Sequence, residues 1–409
     1  MKLAACILER SLNADLSDHA GPRLPCRCGA EASYAGRVEK RFETVLGKMT
    51  LSRAYYHCDA CQGGWFPRDQ ALGLERSSLS PAVLRMTGLV AARVSFAESE
   101  ELLRELAGVE VLAKHAERAA EGLGSEVAQD ERQVVDEPRG ALPPTLYLGM
   151  DGTGVPMRNE ELEGRAGKHE DGEAKMREAK LCMVWSAEGW DDAQGVPIRD
   201  ANSVSYSAAI ESAATRDTDT ELSEFARRVE REARRRGFDC ARRRVVLGDG
   251  AAWIWNLANE LFPGAIQIVD RFHAKEHLSA VAKEIWGAAS DLGRHWAAQR
   301  HEELDAGDLD ALVAALQVHA THNDEARKCI GYIDANRLRM RYPEFRALGL
   351  CTSTGVVEAG CRTAIGTRLK RSGMHWTVAG ANAILALRTA ILSERFLDFW
   401  NRRARARAA

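Results

Sequence analysis

Two apolar runs, each stopped by an Asp-Gly pair, constrain this chain more than any other feature. Leu146-Tyr-Leu-Gly-Met150 runs into Asp151-Gly152, and Arg244-Val-Val-Leu-Gly248 runs into Asp249-Gly250. Short, nearly continuous apolar runs suit strands covered on both faces. A third run, Leu181-Cys-Met-Val-Trp185, and a short strand around Val204 to Tyr206 precede a helix predicted over about Thr218 to Arg236. There Leu222, Phe225, Val229 and Ala233 recur at helical spacing. Ala265-Ile-Gln-Ile-Val269 then stops at Asp270. Three strands followed by helix–strand alternation describe a mixed α/β sheet. From Arg271 to about Leu348 the pattern is almost wholly helical, and a last helical stretch runs from Ser353 to the end, broken near Gly373.

The cysteines divide into two groups. Cys26-Arg-Cys28-Gly29 and His57-Cys58-Asp-Ala-Cys61 are tight pairs, whereas Cys6, Cys182, Cys240, Cys329, Cys351 and Cys361 are scattered and read as core or incidental thiols. Four thiolates suit tetrahedral Zn²⁺, and two hairpin knuckles joined by strands make a zinc ribbon. A small module with few apolar residues needs such a staple to fold. Its first knuckle, Cys-x-Cys, is tighter than the usual two-residue gap, and 29 residues separate the pairs. His57 competes with Cys58 as a ligand on paper, although adjacent residues rarely bind one ion together.

Residues 79 to 129 read as helices, with Ser80-Pro81 as a start signal. Ser95 to Gly108 and Val109 to Arg118 form two helices around a Gly-containing turn, which fits a helix-turn-helix. An ordinary helical hairpin fits equally, since Lys114, His115 and Arg118 make the second helix only mildly basic. The polar, proline-bearing stretch near 131–144 reads as a linker.

At 409 residues the chain suggests two or three domains, and its 45% hydrophobic content is ample for real cores. No run approaches the ~18 apolar residues of a membrane span. The opening Met1-Lys-Leu-Ala-Ala-Cys-Ile-Leu-Glu9 is too soon charged for a secretory signal, so a cytoplasmic location is expected, without a membrane partner. The net charge of −3 hides an uneven distribution. From Arg362 onward there are ten Arg or Lys against Glu394 and Asp398. Between Arg227 and Arg244 there are nine Arg against Glu230, Glu232 and Asp239. The second of these stretches reads as a solvated helix face. The C-terminal one reads as phosphate contact, through Arg362, Arg368, Lys370 and Arg371, with Trp376 as a surface on which an unpaired base could stack. Trp253 and Trp255 read as core.

Acids at the ends of buried strands gather where ligands bind in open α/β sheets, although a single Asp-Gly is more simply a turn. Glu358 adds a third carboxylate. It is the only acid between Glu344 and Glu394, and it lies among Arg362, Arg368, Lys370 and Arg371. A lone carboxylate there would repel a phosphate backbone unless a cation stood between them. A capping box is excluded, because the position three residues before Glu358 is Gly355; Ser353 or Thr354 would cap that helix instead. Hard oxygen ligands from Asp151, Asp249 and Glu358 suit Mg²⁺ or Mn²⁺. Two such ions supply the nucleophile of a phosphodiester displacement, and the sequence carries no Ser-His-Asp arrangement for covalent catalysis.

These residues resemble the DDE transposases, and more narrowly the ISKra-like insertion-sequence family. The likeness rests on the two cysteine knuckles, Asp151-Gly-Thr-Gly-Val-Pro156, Leu247-Gly-Asp249-Gly-Ala-Ala-Trp-Ile-Trp255, Val269-Asp270-Arg-Phe-His273 and Gly355-Val-Val-Glu358, and it spans about residues 24 to 400. It implies an RNase H-like catalytic core with Asp151, Asp249 and Glu358 binding two Mg²⁺ (or Mn²⁺) ions, one structural Zn²⁺, and double-stranded DNA as partner, both terminal inverted repeats and target. A homodimer or larger assembly on DNA follows by analogy. The 108 residues between Asp249 and Glu358 would house an all-helical insertion. Asp270 and His273 resemble an accessory Asp-x-x-His element, although His273 also reads as a packing residue. The implied order is an N-terminal zinc ribbon (1–70), a helix-turn-helix-like DNA-binding region (71–130), a linker (131–144), the first part of the core (145–270), the insertion (271–350), and the last catalytic helix with basic C-terminal helices (351–409). An RNase H-like nuclease or resolvase without strand transfer, and a non-catalytic zinc-ribbon regulator, are the alternatives.

Overall fold

The computed structural model describes residues 2–134, 138, 141–165, 174–192, 195–212, 214–216, 218, 220–353 and 355–408. Part of the expected linker, residues 135–137 and 139–140, therefore lies outside the described residues, as does Thr354. The chain divides into two compact units. Met1–Glu131 joins Asn382–Ala409 in one, and Arg132–Ala381 forms the other.

The first unit opens with α1 (Lys2–Ala14). A four-stranded antiparallel sheet follows in sequential order, β1 (Arg23–Pro25), β2 (Glu31–Thr44), β3 (Gly47–Cys58) and β4 (Gly63–Trp65). The β2–β3 hairpin is far longer than a metal knuckle requires. Its register slips between Tyr34 and Arg37, a bulge that coincides with a change in which β3 residues face inward. One part of the hairpin packs Phe42, Met49 and Leu51 with Ala5 and Leu74, and the other gathers Ala32, Ala54, Tyr56 and Cys58.

Next come α2 (Pro67–Leu72), α3 (Pro81–Ala91), α4 (Phe96–Ala107) and α5 (Ala113–Gln133). Proline opens α3, and Ser95 with Glu98 forms a complete capping box at α4. Leu79, Val83, Leu84, Leu103, Val109, Val111 and Ala116 bury the apolar faces of this helical region, with Trp400 against them.

The second unit is built on β5 (Thr145–Pro156), β6 (Met176–Trp185), a β7–β8 ribbon (Gly189–Asp191, Val196–Ile198), β9 (Ser205–Ala209), α6 (Glu224–Arg236), β10 (Arg243–Gly248), α7 (Ala252–Leu261) and β11 (Ile266–Val269). The five-stranded sheet runs β11-β10-β5-β6-β9. β6 lies between β5 and β9 and is antiparallel to both, while β10 and β11 lie parallel to β5. The helix expected from Thr218 begins at Glu224, where the Ser223 side chain accepts from the Ala226 N–H.

One strand end differs from expectation. Asp151 does not close β5, which continues through Asp151-Gly-Thr-Gly-Val to Pro156. What ends at Gly149 is its pairing with β10; pairing with β6 persists to Pro156. Asp151 thus stands where one side of the strand becomes open.

The rest of this unit is helical, as the sequence pattern indicated: α8 (Arg271–Trp286), α9 (Asp291–Ala306), α10 (Leu309–Ala320), α11 (Asp324–Asn336), α12 (Tyr342–Ala347) and α13 (Gly355–Gly360). A π-helical turn at Cys361–Gly366 leads into α14 (Thr367–Leu369). α15 (Val378–Leu392) and α16 (Phe396–Ala408) end the chain, which from Asn382 belongs to the first unit.

Two glycines of α5 differ in what surrounds them. A Cβ at Gly122 meets nothing within 4 Å, whereas one at Gly124 falls 2.0 Å from the Ala383 carbonyl oxygen. Gly122→Ala is expected to stabilise the unit by about 0.5–1 kcal/mol through helix propensity. Gly124→Ala is expected to destabilise it by about 1–3 kcal/mol, since backbone must move. Thermal unfolding followed by circular dichroism separates the two, and equal shifts would contradict the packing.

Candidate functional site

Strand register assembles the acids. β10 pairs with β5 so that Leu247 lies beside Gly149, and with β11 so that Gly248 lies beside Val269. Continued past the strand ends, the same register sets Asp249 level with Asp151 on one side and with Asp270 on the other. Side chains alternate along a strand, so residues level in neighbouring strands share a face. Asp151, Asp249 and Asp270 are therefore set at neighbouring positions at the same end of three adjacent strands.

Glu358 reaches that face from α13, and small residues set how close the helix lies. A Cβ at Gly149 would fall 2.4 Å from Val357 Cγ2, and one at Gly360 2.8 Å from Met183 Sδ. Gly149, Met183 and Leu181 are on the same face as Asp151, by register and alternation. Glycines on both sides of the contact let α13 lie directly on the sheet. The π-helical turn that follows Gly360 interrupts the regular helix immediately after Glu358, a position where such turns often attend functional sites.

The electrostatics reflect this crowding. Burial pushes the Asp151 carboxyl above its usual range, and the charges of Asp249 and Glu178 add to the shift. A thiol hydrogen bond from Cys361 and the Gly152 N–H, at 2.6 Å, oppose it. Burial likewise raises Glu358, followed by the charges of Asp270, Glu276 and Asp151. The carboxylates thus feel one another, but they do not close into a mutual cluster. Among the described residues the only group of three or more potential ligands within 4.8 Å of one another is the four cysteines.

Asp249 and Asp270 are each held by a turn of their own. Asp249 accepts from the Ala251 N–H at 2.9 Å, and its carbonyl accepts from the Tyr332 hydroxyl at 2.9 Å. Gly250 has φ +104°, and a Cβ there would fall 2.4 Å from the Tyr332 ring, so both conformation and space demand glycine. Asp270 is buried and caps α8, accepting from Phe272 N–H at 2.6 Å and His273 N–H at 3.2 Å. His273 is half-exposed beside Glu276 and packs edge-on against His277, whose ring lies 4.3 Å from that of Tyr332. Burial depresses the His277 pKa, and the charge of His273 adds to this.

No motif singles out Tyr332 or His277, and Cys361, expected as a core or incidental thiol, hydrogen-bonds Asp151. His277 carried a faint signal as the i+4 neighbour of His273. Tyr332 is 83 residues from Asp249 and carried none.

The expected DNA contacts separate into two kinds. Arg362, Lys370 and Arg371 are exposed, and Lys370 donates to Thr153 Oγ1 at 2.9 Å, two residues along β5 from Asp151. Arg368 and Trp376 are instead core residues. Arg368 is fully buried with its guanidinium 5.0 Å from the Trp376 ring centre, and the Trp376 indole donates to the Leu369 carbonyl. Neither presents a surface to a phosphate or a base. Trp255 is buried, as expected of it. In the first unit Lys114 and Arg118 are exposed, Lys114 within 2.7 Å of Glu117.

The basic C-terminal helix is also less available than its composition suggests. Arg395, Arg402 and Arg403 pair with Glu131, Asp130 and Glu126 of α5, and Arg388 is buried against the Ala92 carbonyl. Much of the Arg227–Arg244 cluster is similarly engaged, Arg228 with Glu211 and Arg236 with the Ser203 carbonyl.

The four paired cysteines converge in the first unit. Cys26 and Cys28 lie between β1 and β2, Cys58 ends β3, and Cys61 sits in the turn before β4. Sγ–Sγ separations are 3.7 Å for Cys26–Cys61 and for Cys28–Cys58. Tetrahedral zinc with bonds of about 2.3 Å implies sulfur separations of about 3.8 Å. The group could therefore hold a zinc ion. His57 is directed elsewhere, within 3.5 Å of both the Tyr55 hydroxyl and Asp59. Without a metal the thiols cannot all ionise. The Cys61 N–H draws Cys58 down to about 7. Cys61, despite the Gly63 N–H, is pushed up to about 12 by the thiols of Cys26, Cys58 and Cys28.

Two outcomes follow. Cys58→Ser should lose zinc stoichiometry in the purified protein, measured by metal analysis; full zinc retention would contradict the four-sulfur set. Because the folded Asp151 pKa lies above the unfolded one, its protonation stabilises the fold fully at low pH, and this is lost as pH rises through the folded value. Metal-free Asp151→Asn should therefore melt higher than the parent protein at neutral pH, with the difference vanishing near pH 3–4. A pH-independent difference in melting temperature would contradict the electrostatic account.

Comparison with known proteins adds the following. The sequence profile of the uncharacterised protein family UPF0236 matches residues 34–395. No curated protein sequence matches the chain significantly. Among solved structures, the Drosophila P element transposase strand transfer complex is similar at 8% identity over 81% of this chain and 83% of that chain, with a TM-score of 0.26, too low to bear on fold or chemistry. Since the family profile spans most of its length, the chain is a member of the uncharacterised protein family UPF0236.

Proposed function

We propose that this chain is a DNA transposase of the insertion-sequence type, in which Asp151, Asp249 and Glu358 of an RNase H-like core carry out metal-dependent strand cleavage and strand transfer. The observation that carries this reading is the strand register that levels Asp151 with Asp249, with α13 lying on the same face and bringing Glu358. An antiparallel trio of strands extended by two parallel ones supports the RNase H-like assignment. The helices between Arg271 and Ala347 correspond to the insertion that the resemblance implies.

The donor set fits hard cations. Asp151, Asp249 and Glu358 would hold two Mg²⁺ or Mn²⁺ ions, with Asp270 alongside. Ions about 3.5–4 Å apart, each about 2.0–2.1 Å from its ligands, do not require the three carboxylates to touch one another. When bound, such ions activate a water or 3′-hydroxyl and stabilise the departing oxygen.

The chain's own residues orient the substrate. Lys370 beside Thr153, with Arg362 and Arg371, offers cations to the phosphates that flank the scissile bond. Tyr332 and the Asp270 cap fix the turns that aim the acids. In the other unit the four cysteines form a zinc-stapled ribbon, and α4–α5 is a helix-turn-helix-like element with Lys114 and Arg118 toward DNA. Double-stranded DNA, as terminal repeats and target, is the partner, and pairing two ends calls for a dimer or larger assembly.

The test is a Mg²⁺-dependent nicking and joining assay on the terminal inverted repeats flanking the coding sequence. Cleavage with joining is the expected result. Cleavage alone would make the protein a nuclease, and binding alone a regulator. Glu358→Gln is expected to keep DNA affinity within about twofold and to lower cleavage by at least ~10³-fold, the scale of losing a key electrostatic group. Cleavage by that variant at the parent rate would refute the triad.

A further inference from the structure

One edge of β5 is left open over a short stretch beside Asp151. β10 pairs with β5 only as far as Gly149, and the next partner on that side is Trp376, bridged to Met157. Main-chain direction shows that both partners lie on one edge. The Pro144 carbonyl accepts from the Arg243 N–H at 2.9 Å, and the Pro156 carbonyl accepts from the Trp376 N–H at 3.1 Å. The pairing with β6 runs unbroken from Tyr147 to Pro156, so even-numbered residues point both main-chain groups away from β6. Gly152 and Gly154 thus aim theirs into the gap between β10 and Trp376, where no strand pairs among the described residues. Met150 and Val155 at its ends are buried, whereas Asp151, Gly152, Thr153 and Gly154 are half-buried.

Donors gather beside this gap. Thr153 shares the Asp151 face by alternation and follows it by about 6–7 Å along the strand. The exposed Lys370 ammonium donates to Thr153 Oγ1 at 2.9 Å. That leaves the Thr153 hydroxyl proton and the other ammonium protons for an outside acceptor. Gly154 N–H adds a main-chain donor at the edge, beyond Gly152 N–H, which Asp151 Oδ1 already takes at 2.6 Å. Lys370 also stands within electrostatic reach of the first acid. Burial raises the Cys361 thiol, the charge and hydrogen bond of Asp151 add to this, and the Lys370 charge opposes it. On the opposite face, a Cβ at Gly152 would fall 2.4 Å from Glu178 Oε1, and one at Gly154 2.9 Å from Met176 Sδ. Side chains of β6 fill that space, so approach is from the Thr153 side.

We propose that Thr153, Lys370 and the Gly154 N–H form a subsite for one phosphate of the DNA strand, the neighbour of the phosphodiester at Asp151. An ammonium, a hydroxyl and an amide N–H are donors that a phosphate accepts from, and none of them reads a base. Two residues along β5 cover a distance comparable with one nucleotide step of an extended strand. Asp151 and Thr153 face the same way, as successive phosphates of one strand require. The inference rests on the transposase reading above and deepens it. A broad basic surface is narrowed to one phosphate held in register, which sets where along the strand the cut falls.

The experiment is a methylphosphonate scan of the terminal-repeat strand, in which phosphates are made neutral one at a time. Affinity for the zinc-loaded full-length protein is measured by fluorescence anisotropy, with Ca²⁺ in place of Mg²⁺. Neutralising the phosphate that adjoins the repeat's terminal phosphodiester should weaken binding by the parent protein at least about tenfold, the scale of charged hydrogen bonds. In the double variant Thr153→Val, Lys370→Met that penalty should fall to within about twofold, while penalties at other positions persist. Arg362→Met, which removes an exposed cation outside the subsite, should weaken binding yet keep the penalty at that position. A parent scan without such a position overturns the proposal, and this arm needs no variant to fold. A penalty unchanged in the double variant also overturns it. The cleavage assay reports separately. Cleavage without a sensitive position refutes only the subsite, whereas a sensitive position without cleavage refutes only the catalytic reading. Absence of DNA binding refutes both.

Discussion

Close packing of α13 on β5 is the contact on which the arrangement of acids depends. Gly149 and Gly360 leave no room for a Cβ, and Val357, Met183 and Trp185 fill the space that side chains there would need. With larger residues the helix would ride higher, and Glu358 would lift away from the end of the sheet. The acids repel one another and gain nothing from their proximity in the metal-free fold, so the packing that forces them together supplies the free energy. The proposed function offers a physical reason for retaining such repulsion, since bound cations would offset it.

The helical segment after β11 takes part in the same construction. Tyr332 of α11 donates to the Asp249 carbonyl and covers Gly250, and Tyr342 of α12 donates to the Val269 carbonyl just before Asp270. Two tyrosine hydroxyls from the helical segment thus satisfy backbone acceptors at the ends of β10 and β11, where the ladder has stopped and buried carbonyls need partners. The helices brace the turns that carry the acids, so movement in them would be felt at Asp249 and Asp270.

Charge composition proved a weaker guide than charge placement. Arg402 and Arg403 of α16, with Arg395 just before it, lie against acids of α5, and the arginines of α6 are largely pinned to nearby carboxylates and carbonyls. A count of basic residues cannot distinguish a cation directed at solvent from one neutralised by a partner two hundred residues away. Arg368 and Trp376 illustrate this within one short segment, where both turn inward while Lys370 and Arg371 remain outside.

Local chemistry was legible in the sequence. The paired cysteines, the proline and serine helix starts, the period of each strand and the long helical stretch follow from nearest-neighbour stereochemistry and apolar spacing, and these are written in contiguous residues. Asp151, Asp249 and Glu358 could be singled out because a carboxylate beside glycine at the end of an apolar run, or alone among cations, is conspicuous on its own. Tertiary structure alone decided that β5 runs on past Asp151, that Asp270 is level with Asp249, and that Tyr332 closes over Gly250. Each of these depends on register or packing between segments far apart in the chain, and that pairing is set by the sum of many side-chain contacts rather than by any local run of residues.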